Sequence, residues 1–324
     1  MNPFESFLSG QFEDYIAYRH QLGYDTKSLQ WVLRTLDRHL LRKKAEPADL
    51  TPAFFLTLQA GLQTQSKSVN RLLSTTRMFF NYLVRKNVCQ DNPLKDIPLL
   101  AEERFIPFVF SPAQIDRLLE AFGRSLRREP TYFVKELGIY LAILLLARCG
   151  MRIYEPLRLK RHHFRSDDNT LYVEKTKFKK DRLIPIPGAV AVEITNYLAV
   201  RQSLWGADDN PYLLAASPKK PFYDYLIRPR FHQAVGDIGL SCPRQTIGTT
   251  NIGSPTPHSL RHSFAVNTLK RITETGRSPQ HALPVLAAYL GHCEYKHTTK
   301  YLKLLDASHR HNLVAFIQTQ AHRP

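Results

Sequence analysis

The chain has few cysteines. Only four occur among 324 residues, namely Cys89, Cys149, Cys242 and Cys293, and no two form a Cys-x-x-Cys pair. A disulfide framework is therefore not expected, and a reducing compartment fits this usage best.

Targeting segments and long apolar runs are also missing. The longest apolar run, around Ile139 to Ala147, is too short to span a bilayer. The first five residues, Met1 to Glu5, lack the basic start and apolar stretch of a signal peptide. No internal repeat or low-complexity tract is evident. We therefore expect a soluble intracellular protein.

Acidic residues are scarce relative to basic ones. The chain has 45 Lys and Arg against 28 Asp and Glu, so its formal charge is +17. An apolar content of 43% is that of a globular protein and excludes a long disordered chain. The excess of positive charge favours a polyanionic partner such as nucleic acid. A merely basic, soluble surface remains the alternative at this point.

The first 90 residues have the apolar spacing of helices. Thr51-Pro52 predicts a helix start, and another helix is expected from Ser68 to Lys86. Lys67, Arg71 and Arg77 lie on the faces of that helix and are candidate DNA contacts, although a solvated basic surface has the same pattern. We expect Val69, Leu72, Phe79 and Leu83 of that helix to face inward. The other apolar residues at helical intervals are Phe12, Tyr15, Ile16, Leu22, Leu29, Val32, Leu33, Leu36 and Leu40.

A proline-rich segment follows these helices. Proline removes a backbone donor and breaks helices, and four prolines lie close together here: Pro93, Pro98, Pro107 and Pro112. We therefore expect a helical domain over residues 1–92, a linker over 93–110 and a second domain over 111–324.

The second domain is predicted to combine helices with a small β-hairpin. Ser111-Pro112 starts one helix, and a strongly apolar helix covers Val134 to Cys149. Two extended runs, Thr170 to Glu174 and Arg182 to Ile186, predict a hairpin. The pattern is then helical to the end, except for a polar loop expected from Gly236 to Pro257. The hairpin turn is basic, with four lysines that are candidate DNA contacts or catalytic groups: Lys175, Lys177, Lys179 and Lys180.

Arg152 and the pair His258 and Arg261 have side chains suited to holding a phosphate. Arg152 follows the apolar helix, and its guanidinium can grip two phosphate oxygens, although an arginine there can also merely offset the helix dipole. His258 and Arg261 are three residues apart, so they share a helix face. Residues 254–257 place them at a helix start, where phosphate is favoured.

Tyr301 follows His292 by nine residues and is a candidate nucleophile. Most of the 15 tyrosines in the chain are expected to be packing residues, and Tyr289 and Tyr295 are close competitors. The ordered set of cationic groups upstream favours Tyr301. Such an array points to covalent chemistry on a DNA backbone.

Metal binding by the histidines is an alternative with an incomplete ligand set. His258 and His262 have the i, i+4 spacing of a zinc pair, but no glutamate follows the first histidine directly. His292, Cys293 and His297 form a second group, again without a fourth ligand at regular spacing.

Three stretches together resemble the signature of tyrosine recombinases, the phage-integrase family. They are Cys149 to Glu155, Pro257 to Ala265, and Leu290-Gly291-His292 followed by Tyr301. The resemblance implies a mainly α architecture with a small β-sheet or hairpin. It implies two domains, a helical core-binding domain over 1–92 and an α+β catalytic domain over 111–324.

The family's active site is carried over by position. Arg152 and Arg261 match its two catalytic arginines, His258 the first histidine of its second motif, and His292 a position held by His or Trp. Tyr301 matches the nucleophile. The hairpin lysine corresponds to Lys177, with Lys175 as second choice.

The resemblance implies a chemistry without cofactor or metal. Tyr301 would attack the scissile phosphate and leave a 3′-phosphotyrosine, with His258 as proton acceptor and Lys177 as general acid. Arg152, Arg261 and His292 would stabilise the charge on the phosphate oxygens.

The resemblance also implies partners. These are double-stranded DNA with a specific recombination site, a homotetramer on synapsed DNA, and accessory DNA-bending or directionality proteins. A cytoplasmic, nucleoid-associated location follows. A tail from Ala307 to Gln318 is expected to dock on a neighbouring subunit or on its own domain. Rival functions are a type IB topoisomerase, a non-catalytic DNA-binding protein of the same fold, and a metallohydrolase.

Overall fold

The structure, a computed structural model, describes residues 4–174, 181–206, 208–292 and 294–305. The chain divides into two compact units, Met1–Arg104 and Phe105–Pro324. The predicted lysine-bearing turn, with Lys175, Lys177, Lys179 and Lys180, lies outside the described residues, as does the predicted tail over 307–318.

The first unit is helical. Phe12, Leu33 and Phe79 are fully buried in its core, in accordance with the apolar spacing. Leu22 was expected to continue the helical spacing, but it lies just beyond the end of the first helix and is 54% exposed. The described residues of the unit form four α-helices and one short 3-10 helix, Pro47–Asp49. The α-helices are α1 (Ser9–Gln21), α2 (Lys27–Lys43), α3 (Pro52–Gly61) and α4 (Ser66–Arg85).

Helix α3 begins where the Thr51-Pro52 signal predicted. The Thr51 hydroxyl accepts a hydrogen bond from the backbone N–H of Phe54 at 3.4 Å, and Pro52 occupies the first turn. This arrangement satisfies a donor that the helix itself leaves unpaired and uses a position where proline lacks no needed N–H.

The first part of the predicted linker packs onto helix α4. Leu94 is buried in the core of the first unit. The Asn70 side chain donates to the Leu100 carbonyl at 2.8 Å and accepts from the Leu100 N–H at 2.8 Å. Proline breaks the helix here, but side chains of α4 satisfy the backbone groups that would otherwise bind water.

The described part of the second unit contains seven helices and the described part of a further helical segment over residues 296–305. The largely apolar helix at its centre extends the predicted span of 134–149 by one turn. The seven are α5 (Pro112–Arg124), α6 (Pro130–Cys149), α7 (Tyr154–Arg158), α8 (Gly188–Trp205), α9 (Asp224–Asp237), α10 (Pro257–Glu274) and α11 (Pro279–Leu290).

Helix α6 is central because it is apolar on all sides. It contacts α5, α8, α9 and α10, and its residues Ala142, Ile143 and Leu145 are fully buried. Gly150 ends the helix in the left-handed conformation, with φ of +59°. A residue without a β-carbon adopts this conformation at no steric cost.

The described strands are short and form three small sheets. The predicted hairpin is confirmed, with Leu171 paired to Ile184 and Val173 paired to Arg182. The sheets run in the orders β1-β8-β7, β2-β3-β4 and β5-β6. The strands are β1 (Arg104–Ile106), β2 (Phe164–Arg165), β3 (Thr170–Val173), β4 (Arg182–Pro185), β5 (Ala215–Ser217), β6 (Lys220–Pro221), β7 (Gln245–Ile247) and β8 (Thr250–Ile252).

The expected polar loop from Gly236 to Pro257 was wrong in part. It contains the β7–β8 hairpin, in which Thr246 pairs with Asn251. Because Ile247 is 63% exposed and few apolar residues alternate here, the segment lacks the pattern of a half-buried strand. Within the described residues, no helix has the length and apolarity needed to cross a membrane.

Candidate active site

Helix α10 places two predicted site residues in its first turns. Its start is fixed by a capping box in which Thr256 N–H donates to the Ser259 hydroxyl at 3.1 Å, with Pro257 in the first turn. His258 and Arg261 follow at once. The helix N-terminus, with its exposed N–H groups and positive dipole end, therefore adds to their attraction for an anion.

Arg261 is held rigidly between two helix ends. Only 1% of the residue is exposed. Its Nη1 donates to the Gly150 carbonyl at 2.8 Å, and its Nη2 donates to the Leu290 carbonyl at 2.6 Å. These carbonyls belong to the C-termini of α6 and α11, where the helix dipole is negative. Three helices thus fix one guanidinium, and burial lowers its pKa to about 10, so it stays charged at neutral pH.

Arg152 belongs to the same cluster as Arg261 and is likewise held by a backbone carbonyl at the end of α11. Its Nη2 donates to the Gly291 carbonyl at 3.0 Å, and its Nη1 donates to Glu155 Oε1 at 2.9 Å. The Glu155 carboxylate also accepts from the backbone N–H of Arg152 at 2.8 Å. Glu155 is therefore a buried carboxylate that orients Arg152.

Arg182 belongs to the same cluster, although sequence reasoning did not single it out. Its two terminal nitrogens donate to Glu155 at 3.1 and 2.9 Å, and its Nε donates to the Tyr289 carbonyl at 2.8 Å. The signal was available, because Arg182 is in phase with the buried Ile184 along β4 and so faces inward. Glu155 balances only one of three arginine charges, so the cluster is strongly cationic.

Tyr301 lies at this cluster, on the helical segment 296–305. It is 4% exposed. Its ring stacks on that of His292 with centroids 6.1 Å apart, and His292 Nδ1 is hydrogen-bonded to the Thr298 hydroxyl at 2.7 Å. The positive charges of Arg261 and Arg152 lie near enough to act on its phenol.

The side chain that meets the Tyr301 hydroxyl from α10 is His262, not His258. His262 Nδ1 lies 3.2 Å from Tyr301 Oη. The ring of His258 packs edge-on against that of His262, with centroids 4.6 Å apart. The sequence pattern had suggested only that His262 could bind zinc together with His258. Its i, i+4 spacing from His258 already placed both on one helix face.

Burial and positive neighbours set the protonation of these groups. Burial, then the charges of Arg261 and Arg152, lowers the pKa of His258 to about 4 and that of His292 to about 3. Burial, with His258 and Arg261 next, lowers the pKa of His262 to about 3. All three rings are therefore neutral at physiological pH. Burial also raises the pKa of Tyr301, against the opposing effect of the arginines.

The three basic residues predicted to contact DNA from α4 differ in their surroundings. Lys67 and Arg71 are exposed on α4 and remain predicted DNA contacts. Arg77 was expected to share that surface, but its guanidinium donates to the Leu94 and Ile97 carbonyls at 2.8 and 2.5 Å. Two of its donors are therefore used inside the first unit. Among the described side chains, no three His, Cys, Asp or Glu groups lie together as a metal site requires.

Known proteins with similar sequences provide evidence that is independent of the geometry of the site. A family model described as the phage integrase family matches residues 109–308. A putative integrase/recombinase of Sinorhizobium fredii is 31% identical over 306 residues, which are 93% of each chain. Tyrosine recombinase XerD of Brucella suis is 28% identical over 247 residues, or 76% of this chain and 74% of its own.

Solved structures share the fold. An integrase of the Tn1549 transposon in complex with transposon right-end DNA matches with a TM-score of 0.64 and 17% identity, covering 94% of this chain and 98% of its own. A lambda integrase dimer bound to a COC′ core site matches with a TM-score of 0.63 and 17% identity, covering 91% and 76%.

Proposed function

This chain belongs to the phage integrase family, the tyrosine recombinases, and from that membership we propose that it cuts and rejoins DNA strands at a specific site through a covalent bond to Tyr301. The observation that carries the proposal is the buried Tyr301 hydroxyl beside Arg261. A phenol held among fixed cations is suited to attack a phosphodiester, whose charge those cations neutralise.

We assign roles to the clustered residues accordingly. Arg152 and Arg261 bind the non-bridging oxygens of the scissile phosphate, and His292 donates to the same oxygens. The positions of the two arginines are fixed in advance by helix-end carbonyls and by Glu155. Little reorganisation is therefore needed as negative charge develops on the phosphate oxygens. His258 adds a further polar group at the start of α10.

The leaving group needs a proton. Attack by Tyr301 on phosphorus breaks the bond to the 5′-oxygen, which must then be protonated. We propose Lys177 for this step, with Lys175 as the second choice. Both lie outside the described residues, and the support for them is their place in the sequence between the paired strands β3 and β4. Lys179 and Lys180 are proposed DNA contacts in the same turn.

The assembly and setting are proposed from the relatives. Exchange between two duplexes requires two sites with two strands each, which a tetramer on synapsed DNA provides. Relatives named as integrases, and a Tn1549 structure named for its transposon-end DNA, support integration or transposition by a mobile element. Accessory DNA-bending or directionality proteins and a cytoplasmic location on the nucleoid complete the proposal.

A nicked suicide duplex tests the function. Duplexes covering the DNA that flanks the gene are first screened by footprinting with the purified chain. The protected sequence is then nicked near the cleavage point, so that the cut strand diffuses away and the covalent complex accumulates. We expect an adduct that survives SDS, in EDTA as well as in Mg²⁺, and strand exchange when two such duplexes are present.

Two variants make the assay specific. Tyr301→Phe should abolish the adduct, whereas Tyr295→Phe, at a nearby tyrosine that is 50% exposed, should leave it unchanged. Relaxation of supercoiled DNA without a preferred site would indicate a topoisomerase. Footprints without an adduct would indicate a DNA-binding protein, and cleavage abolished by EDTA would indicate a metallohydrolase.

A further inference from the structure

The hydroxyl of Tyr301 has a direct partner that the expected mechanism does not use. His262 Nδ1 is 3.2 Å from Tyr301 Oη, which is hydrogen-bond distance. The two rings are tilted at 57° with centroids 5.7 Å apart, so they do not stack face to face. The contact is between the edge of the imidazole ring and the tyrosine hydroxyl. No corresponding hydrogen bond joins the described His258 to Tyr301.

We propose that His262 accepts the phenolic proton of Tyr301 during strand cleavage and returns it during rejoining. This inference rests on the proposed function and replaces His258 in the role of base. The Oη–H bond breaks as the proton moves to Nδ1. The Oη–P bond then forms, the P–O5′ bond breaks, and the 5′-oxygen takes a proton from the general acid. Rejoining reverses each step, so protons and electrons balance.

The protonation state of the free protein is compatible with this role. A neutral ring has one bare nitrogen, and only a bare nitrogen can accept a proton. The groups that face His262 are His258 and Arg261 from α10, His292 after α11, and Lys300 and Tyr301 from segment 296–305. Burial is the main cause of the lowered pKa of His262, and the positive charges of Arg261 and Lys300 add to it, so the ring is neutral.

The same surroundings make proton transfer depend on DNA. An imidazolium beside Arg261 and Lys300 is unfavourable while no anion is present. A scissile phosphate seated on Arg152 and Arg261 adds negative charge at the cluster and offsets part of their field. His262 therefore becomes a competent acceptor only when the phosphate is in place. Tyr301 stays protonated, buried and unreactive in the free protein.

A substitution by asparagine separates the hydrogen bond from the proton transfer. In His262→Asn, the side-chain oxygen lies near the former Nδ1 and still accepts from Tyr301, but an amide cannot hold the proton. The probe is the nicked duplex identified by footprinting, under single-turnover conditions from pH 6 to 9. We expect cleavage to slow by roughly 100-fold or more at pH 7 and to rise steeply with pH as the phenol ionises. His281→Asn, at an exposed histidine on α11, is the matched control and should cleave like the parent.

Replacing Tyr301 by 3,5-difluorotyrosine distinguishes a base from a merely positioning group. Its phenol is more acidic, so it depends less on an acceptor. The His262→Asn defect should shrink at least tenfold with this nucleophile. A defect of unchanged size would assign His262 to positioning alone and overturn the proposal, as would His262→Asn cleavage within about twofold of the parent.

Folding and function are controlled separately. Duplex affinity and the melting temperature report whether His262→Asn is folded. If it is not, His262→Ala with added imidazole takes its place, and restored cleavage supports the proposal whereas no restoration overturns it. The parent protein and Tyr301→Phe run beside every variant. Failure of the parent to form an adduct refutes the proposed function itself, whereas a normal parent with unaffected His262 variants refutes only this inference.

Discussion

Arg182 and Glu155 form a two-point ion pair, with Nη2 2.9 Å from Oε2 and Nη1 3.1 Å from Oε1. Arg182 begins the strand β4, and Glu155 also binds Arg152. One buried carboxylate therefore joins the β3–β4 hairpin to the arginine that we propose binds phosphate. Glu155 thus contacts both Arg152 and the first residue of β4.

Loss of this pair should cost stability. Removing one partner of a buried ion pair leaves an uncompensated charge, and we expect Arg182→Gln to lower the free energy of unfolding by about 3 kcal/mol. Arg182→Lys should fall between this variant and the parent, since lysine keeps the charge but loses the fork. Urea unfolding is followed by Trp205 fluorescence in a Trp31→Phe background, so that only the second unit is observed.

The control for Arg182 is a pair of the same type on the surface. Arg124 and Glu120 are largely exposed, and Arg124→Gln should change stability by less than about 0.5 kcal/mol. Equal effects of the two substitutions would contradict a special role for the buried pair.

Stability of the second unit should fall as the pH drops below about 6.5. His258, His262 and His292 have pKa values of about 4, 3 and 3 in the folded protein, so the unfolded chain binds more protons between those values and about 6.5. Stability falls by up to about 1.4 kcal/mol per pH unit for each histidine in that window. Urea titrations at pH 7.5, 6 and 5 measure the slope. It should be smaller in His262→Asn, and a slope unaffected by that substitution would contradict burial of a neutral ring.

Glu155 shifts stability in a lower pH window. Burial alone would raise its pKa, but the hydrogen bonds and charges of Arg182, with help from Arg152 and Arg261, lower it overall. A carboxyl with a depressed pKa stabilises the folded state above its unfolded pKa, near ~4.3, and that contribution is lost as the pH falls through the folded pKa. Glu155→Gln should therefore reduce the steepness of unfolding below pH 4. Circular dichroism during acid titration measures this change.

Gly150→Ala should disturb the site through its backbone. The residue has φ of +59°, and an added β-carbon would lie 2.5 Å from the Phe264 ring. The Gly150 carbonyl holds Arg261, so a shift here moves that guanidinium. We expect a loss of about 3 kcal/mol in urea unfolding, from strain and overpacking together.

Gly239→Ala isolates the conformational part of that effect. Gly239 has φ of +71° with nothing within 4 Å of an added β-carbon. Strain without a clash should cost about 1 kcal/mol. Similar losses at both glycines would show that the close contact with Phe264 contributes nothing.

The basic residues of α4 should separate into two groups. Lys67→Gln and Arg71→Gln should leave the melting temperature unchanged, weaken duplex binding, and each lower the slope of log affinity against log salt by about one. Arg77→Gln should instead lower the melting temperature, because Arg77 holds the Leu94 and Ile97 carbonyls. Binding measured by fluorescence anisotropy from 50 to 300 mM salt tests this division. A normal melting temperature in Arg77→Gln would contradict it.

The sequence was most informative where local chemistry decides the structure. Caps at Thr51 and Ser111 and the apolar run of α6 predicted helix positions, because they depend on neighbours within a few residues. The β7–β8 hairpin was missed. Its strands are three residues long, and its formation depends on pairing that a period-2 pattern does not reveal in so short and polar a segment.

The residues of the candidate site could also be predicted only in part. Residue types in order along the chain identified Arg152, His258, Arg261, His292 and Tyr301 as a set. Their supports could not be read from order alone: His262 and Tyr301 are 39 residues apart, and Arg182 and Glu155 are 27 apart. Contacts at such separations depend on how α6, α10, α11 and the hairpin pack together.

Mapping the DNA-linked residue tests the central claim most directly. The covalent complex from a nicked duplex is digested with trypsin and nuclease, and the remaining nucleotide is located on its peptide by mass spectrometry. The account predicts one modified residue, Tyr301, joined to a 3′-phosphate, with a free 5′-hydroxyl on the released strand. Modification at Tyr289 or Tyr295, or a 5′-phosphate on the released strand, would contradict it.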